Sequence, residues 1–431
     1  MDPAITTLCV LAVAAFLFIT ELIPLAVTAM AACTALGILG VLPSKQVYAG
    51  LSNSTVVLFG GMFVIGAAMF KTGLAEAIGV AVVKKAGTNE IPLMAAIMIV
   101  TIVLSSVSSN TGTVACLMPV IIGICQAAKI PASKELMPLA IAANVGGTIT
   151  MIGTPPNVIV TGALAAAGLP TFGFFEFAAI GIPLSLVITV YTLFIGRHMI
   201  AAKSAGAMDE EAIKAAKEEA GASGDDAPKS KTKMWISGLI LIGVVLCMAL
   251  DLKTVPLHTA AVTGAILCVV TGCLKEKEAY AGIDWVTIFL FAGMLSVATA
   301  MEKTGAGKLI ADSVVSMMGT NPNPYVLTAV LFLISNVLTQ FMSNTASAAL
   351  LAPIGISIAQ SIGADPKPVL MALGIAASCA FATPMATPPN TLVLGPGGFS
   401  FNDYAKVGVP MCVISLIVCL VVIPIVWPFG M

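Results

Sequence analysis

Two short motifs each occur twice in this chain, in matching places. Ser-Asn-Thr stands at 109–111 and at 343–345, an offset of 234, and Thr-Pro-Pro-Asn stands at 154–157 and at 387–390, an offset of 233. Pro24-Leu25 with Pro256-Leu257, Ala49-Gly50 with Ala281-Gly282, and Lys-Thr-Gly at Lys71 and Lys303 all repeat at 232. A register held almost constant from Pro24 to Asn157 marks a duplicated unit. Any fold for the chain must therefore be one that can be built twice.

The unit belongs in a membrane. The 431 residues are 58% hydrophobic and 10% charged, with a mean hydropathy of +1.04. Soluble domains carry about a quarter charged residues. Runs such as "ISGLILIGVVLCMAL" and "VISLIVCLVVIPIVW" approach or reach the roughly 20 apolar residues of a membrane-crossing helix, and a barrel would show shorter alternating segments. The expectation is an all-α polytopic membrane protein. The first apolar run lacks a basic leader and reads as the first span, not as a cleaved signal.

Each half is expected to hold five spans and one re-entrant hairpin. In the first half the spans are about 4–22, 25–42, 54–70, a broken helix 136–164, and 176–196, with the hairpin at 91–126. The second half has about 235–250, 257–273, 284–301, a broken helix 368–395, and 405–427, with the hairpin at 325–361. The domains are then a first repeat over 1–196, a linker over 197–233 and a second repeat over 234–431. An odd number of spans turns the second unit over, so the repeats are inverted, as in many secondary transporters.

Charge supports one orientation, because cytoplasmic loops collect Lys and Arg. With the linker inside, only Lys45, Lys253, Lys303, Lys308 and Lys367 of the 20 basic residues fall outside. Both termini then face out, and the expected location is the cell inner (plasma) membrane. The linker mixes Ala, Glu and Lys with Gly, Ser and Pro and reads as a partly helical cytoplasmic connector. A net charge of -1 without a basic cluster argues against nucleic-acid binding. The ten cysteines lack metal-type spacing and read as small buried hydrophobes.

The duplicated motifs carry the chemistry. An unsatisfied amide in hydrocarbon costs several kcal/mol, so a mid-membrane Asn must be answered. Each Ser-Asn-Thr follows an apolar climb and precedes another apolar run, and each arm is short of the roughly 20 residues that span with ease. That pattern places it at a hairpin tip, with carbonyls and hydroxyls free to face a cavity. Each Thr-Pro-Pro-Asn removes two amide donors and forces the preceding residue out of helix. The span breaks there, leaving carbonyl ends for cations and amino-terminal ends for anions. Singly, such residues often serve as helix glue. Two different motifs duplicated in one register point to a substrate site.

Missing residue types narrow the coupling ion. The sole arginine is Arg197, the histidines are His198 and His258 at span ends, and neither tip nor break carries an acid. No buried carboxylate is read as a proton relay, and neutral oxygens suit Na+. Glu21 and Glu176, near span ends, read as solvated or capped.

At "TELIPLAVTA", "SSNTGTV", "GGTITMIGTPPNVIV", "SNTASAALLAPI" and "ATPPNTLVLG" the chain resembles the divalent anion/sodium symporter family. The resemblance runs from residue 20 to about 410. It implies a first sodium site of Ser105, Ser109, Asn110 and the Gly153 carbonyl, and a second of Thr339, Ser343, Asn344 and the Ala386 carbonyl. Asn110, Thr111, Asn344 and Thr345 would contact a small anionic substrate, with Thr154, Pro155, Thr387 and Pro388 lining the pocket. A homodimer working by an elevator motion within the lipid bilayer is also implied. Gly112 departs from the family, where Ala is usual, and could loosen the first tip.

The expected function is Na+-coupled symport of a four-carbon dicarboxylate such as succinate, malate or fumarate. A Na+-independent exchanger of the same fold, or citrate, tartrate or sulfate as substrate, are the alternatives. An intramembrane enzyme would need a nucleophile or acid pair at depth, and the sequence offers neither.

Overall fold

The computed structural model describes residues 2–87, 89–203, 211, 230–250, 254–318 and 323–429. Within them the chain is helical, and no strand is present among the described residues. Most of the expected linker, 204–210 and 212–229, lies outside the described residues.

The main helices of the first half are α1 (Pro3–Thr20), α2 (Leu25–Ile38), α3 (Ser54–Lys71), α4 (Leu74–Ala86), α5 (Glu90–Ser105), α6 (Asn110–Ala128), α7 (Ser133–Gly146), α8 (Pro155–Ala166) and α9 (Ala178–Tyr191). The second half runs in the same order: α10 (Lys231–Ala249), α11 (Leu257–Val270), α12 (Trp285–Thr304), α13 (Ala306–Met318), α14 (Pro324–Leu338), α15 (Asn344–Ser361), α16 (Pro366–Ser378), α17 (Pro388–Gly397) and α18 (Phe401–Val426). Among the described residues, seven helices are long and apolar enough to cross a membrane.

Local chemistry sets the boundaries in matched pairs. The Asn53 side chain accepts from Thr55 N at 2.8 Å to start α3, and Asp284 accepts from Thr287 N at 3.0 Å to start α12. Both are side-chain caps of the usual N-terminal kind. The repeated Lys-Thr-Gly ends both helices, with Gly73 at φ 82° and Gly305 at φ 74°. Only glycine takes that conformation at little cost. The lysines of the motif then reach into the opposite half. Lys71 Nζ lies 3.3 Å from Glu278, and Lys303 Nζ donates to Gln46 at 2.7 Å.

Helix packing repeats this reciprocity. A Cβ on Gly61 of α3 would stand 2.7 Å from the Ala261 backbone of α11, and one on Gly293 of α12 would stand 2.7 Å from the Ala29 backbone of α2. Small residues let these backbones meet, as in membrane helix pairs generally. Residue i of one half thus meets j of the other, and their counterparts do the same in exchange. These close contacts between the halves therefore come as a reciprocal pair.

Three features differ from the sequence expectation. The second span of each half is a helix of only 14 residues, ended in the first half by the turn at Gly40, where φ is 73°. Helices α4 and α13 have no place in the expected layout. Each Ser-Asn-Thr sits just past its hairpin turn, with Ser109 and Ser343 as N-caps and the following Asn as first helical residue. The non-helical tip is therefore one step earlier than expected.

Apolar side chains on α10 and α18 face outward at helical spacing, among them Trp235, Leu239, Ile242, Val413, Ile417 and Val421. The helices carrying the duplicated motifs, by contrast, are largely buried. Their breaks are pressed by passing helices: a Cβ on Gly181 of α9 would collide with the Thr148 carbonyl, and one on Gly408 of α18 with the Phe381 carbonyl.

Candidate functional site

Each half gathers two helix ends and two helix beginnings around its motifs. In the first half α5 and α7 end at Ser105 and Gly146, while α6 and α8 begin at Asn110 and Pro155; in the second, α14 and α16 end at Leu338 and Ser378, while α15 and α17 begin at Asn344 and Pro388. Helix ends offer unpaired carbonyls and helix beginnings offer unpaired amides, with matching partial charges. Proline fills the first two positions of α8 and α17, so those helices lack two amides each. The amide-rich poles are therefore the starts of α6 and α15, one in each half.

The first half draws a cluster of polar atoms together at its tip. Ser105 Oγ donates to Ala143 O at 2.8 Å and accepts from the Asn110 amide nitrogen at 2.5 Å. A hydroxyl has only one proton to give. The same Asn110 position faces Gly153 O at 3.0 Å and Ala143 O at 3.3 Å. The amide nitrogen belongs there, donating toward the Gly153 and Ala143 carbonyls. Space is tight as well, since a Cβ on Gly147 would stand 2.9 Å from both the Asn110 side chain and Gly153 O. Ser109 caps the start of α6 by accepting from Gly112 N at 3.3 Å.

The second half repeats the arrangement in part. Thr339 Oγ1 donates to Ala377 O at 2.9 Å and to Asn344 Oδ1 at 2.5 Å, one proton between two acceptors. Ser343 stands at the N-cap, but its hydroxyl makes no cap bond. Ala386 is buried in the break 379–387, just before Thr387. The structure thus joins Ser105, Asn110 and Gly153 directly, and Thr339 with Asn344. It does not show Ser343 or Ala386 bonded to them.

Of the residues expected to meet substrate, Asn110, Thr111, Asn344 and Pro155 are half-buried and Pro388 is exposed, whereas Thr154, Thr345 and Thr387 are buried. Hairpin helix α6 packs against α17, and α15 packs against α8. The turn of each half therefore lies beside the hairpin of the other. A cavity of about 460 Å³ lies elsewhere, between α8, α12, α13 and α15, and its lining, which includes Glu302, Lys308 and Gln360, holds no residue of Ser-Asn-Thr or Thr-Pro-Pro-Asn.

Several buried amides escape a reading of the sequence. The last residue of each Thr-Pro-Pro-Asn closes its own break: Asn157 Nδ2 donates to Gly147 O and Thr150 O at 3.1 and 2.8 Å, and Asn390 Nδ2 donates to Ala380 O and Thr383 O at 3.0 and 2.9 Å. Thr150 donates to Ser106 O at 2.5 Å and Thr383 to Gln340 O at 2.6 Å, fastening each break to its hairpin. The motif repeat is the available signal for these. Asn144 gives no such signal, because its counterpart is Ser378. It joins the halves by donating to Thr387 Oγ1 at 3.1 Å and Asn390 Oδ1 at 3.0 Å.

Besides Lys71 and Glu278, one further ion pair among the described residues ties the halves together and another ties the start of the linker to the second half. Lys367 Nζ lies 2.6 Å from Glu176 Oε1, which also accepts from Trp427 Nε1, and Lys203 Nζ lies 2.7 Å from Asp403. Burial would raise the Glu176 carboxyl, but hydrogen bonds from Lys367, Gly173 N and Trp427 outweigh it and hold it below its ordinary value. Glu176 is thus paired, in line with its structural reading. Two carboxylates among the described residues are nevertheless buried, Asp403, which pairs with Lys203, and Glu135. Glu135, in the first turn of α7, is fully buried and neither oxygen has a partner. It belongs to neither tip nor break.

A family model described as citrate transporter matches residues 15–367 and 345–429. An uncharacterized transporter of Haemophilus influenzae is 30% identical over 95% of this chain and 89% of that protein. The sodium-dependent dicarboxylate transporter SdcS of Staphylococcus saprophyticus is 26% identical over 94% of this chain and 83% of that protein. Among solved structures, the YdaH transporter of Alcanivorax borkumensis shares the fold with a TM-score of 0.66, at 14% identity and with both chains fully covered.

Proposed function

The chain belongs to the citrate transporter family and is a transporter of the divalent anion/sodium symporter type; from that premise we propose that it couples the inward movement of Na+ to uptake of a four-carbon dicarboxylate such as succinate, malate or fumarate. The observation that carries the reading is the polar cluster at the first tip, where the Asn110 amide and the Ser105 hydroxyl sit against the Gly153 and Ala143 carbonyls. Neutral oxygens at this spacing suit a hard monovalent cation. One Na+ would sit with Ser105, Ser109, Asn110 and the Gly153 carbonyl, and another with Thr339, Ser343, Asn344 and the Ala386 carbonyl.

The amide-rich starts of α6 and α15 supply two anion poles, one from each half. Two poles suit a ligand with two carboxylates. Asn110, Thr111, Asn344 and Thr345 would hold it, and Thr154, Pro155, Thr387 and Pro388 would line the space around it. SdcS is named as a sodium-dependent dicarboxylate transporter, which supports the same substrate class. Uptake of labelled succinate, citrate and sulfate into vesicles is the test. Succinate uptake should fall to background when choline replaces Na+; equal uptake in choline would indicate an exchanger instead.

We propose further that the halves are inverted repeats, over 1–196 and 234–431, joined by a cytoplasmic linker with both termini outside. The reciprocal contacts of Gly61 with Ala261 and of Gly293 with Ala29 support the two-fold part of this reading. Five spans per half, as the sequence leads one to expect, would turn the second half over. The unit carrying the motifs would move past α2, α3, α11 and α12 as an elevator, in a homodimer of the plasma membrane. A cysteine introduced near residue 220, in a background without reactive thiols, should label with an impermeant reagent only when the cytoplasmic side is opened. Labelling in intact cells would overturn the orientation.

A further inference from the structure

Glu135 is the third residue of α7, ahead of the apolar stretch that carries this helix toward its break. Its side chain has no exposed surface, and neither carboxyl oxygen has a hydrogen-bond partner. The hairpin covers it, since α5 and α6 both pack along α7. The titratable groups coupled to it electrostatically are the buried thiol of Cys125 on α6 and the carboxyl of Glu90 on α5. Neither supplies positive charge.

Two nearby lysines are engaged elsewhere. Lys134 donates to Arg197 O and Ile200 O, both at 2.6 Å, and Lys203 reaches Gly398 O and Asp403 at 2.8 and 2.7 Å. Lys129, in the turn between α6 and α7, is exposed, and no ion pair joins Arg197 to Glu135 among the described residues. The neighbouring hydroxyl, Ser133 Oγ, donates to Ala201 O at 2.8 Å. A carboxylate in this position would be a buried charge with no answer, which proteins avoid by keeping the group neutral.

We propose that Glu135 is a proton-binding site beneath the first hairpin: its carboxyl holds a proton while α5 and α6 are seated on α7, and loss of that proton loosens the hairpin base. Burial first, and the Glu90 carboxyl second, push the group up to about 8. The sign follows from linkage. A raised folded-state value means that the stabilisation is complete below the ordinary glutamate range and is lost as pH rises toward about 8. Slightly alkaline conditions therefore weaken the seat of the hairpin that carries Ser109 and Asn110.

The test needs neither substrate nor sodium, so it stands apart from the transport reading. The full chain is purified into nanodiscs, and hydrogen exchange of 90–105 and 110–128 is compared at about pH 6.5 and about pH 9 after correction for intrinsic rates. One pH unit above its midpoint the protonated fraction falls about tenfold, and protection at the hairpin base should fall by a similar factor. Glu135→Gln should abolish that change, and its thermal midpoint should stay level across the range where the wild type drops by several degrees. Glu135→Leu is the second neutral variant, should glutamine prevent folding. An unaltered pH response in either variant overturns the proposal. So does a Gln variant at about pH 6.5 that is as loose as the wild type at about pH 9, because the carboxylate form would then be the structural one.

Discussion

Asn110→Ala and Asn344→Ala should each cut Na+-driven uptake by roughly ten- to a hundredfold, with expression and detergent-solution behaviour near wild type. The magnitude is the ~1.5–3 kcal/mol of a hydrogen bond or ligand contact to a charged group. Folding should survive, because both residues open their helices at half-buried positions and neither supplies core packing. Asn157→Ala provides the contrast. That side chain is fully buried and closes the break through Gly147 O and Thr150 O, so its loss should appear first as reduced folded yield. Near-normal uptake by either tip variant would return its Ser-Asn-Thr to the role of helix glue.

How much of this can be read in the sequence depends on how local the chemistry is. The Thr-Pro-Pro-Asn breaks are legible because proline removes amides wherever it stands, and α8 and α17 do begin on those prolines. The all-helical membrane character is legible in the apolar runs. The bond from Asn144 to Asn390 is not, since 246 residues separate the partners and the repeat fails at Ser378. Helices α4 and α13 are hidden by length and charge. "LAEAIGVAVVKKA" is too short to span and carries Glu76, Lys84 and Lys85, and it is packing, chiefly on the hairpin arms α5 and α6, that makes α4 part of the fold. Glu135 is the most misleading position. In "ASKELMP" an acid beside a lysine reads as solvated loop, and it takes the hairpin laid over α7 to bury it.

Sodium should bind before the anion and build its site. Neither tip nor break has a fixed positive charge among the groups that face Asn110 and Asn344, so amides and hydroxyls alone must otherwise hold two carboxylates. A Na+ about 4 Å from a carboxylate adds an attraction on the order of 4 kcal/mol at an effective dielectric near 20. That is roughly a thousandfold in affinity before the cost of ordering the site is subtracted. Calorimetry on the purified chain should therefore find succinate binding in Na+ and little or none in choline. Linkage demands the converse by the same factor, so saturating succinate must tighten Na+ binding equally. Measured at fixed Na+ in the Glu135→Gln background, the remaining pH dependence should follow the second ionisation of the substrate alone. Equal succinate affinity in Na+ and choline, or accumulation driven by a proton gradient without Na+, would sink the symport mechanism and leave an exchanger built on the same helix ends.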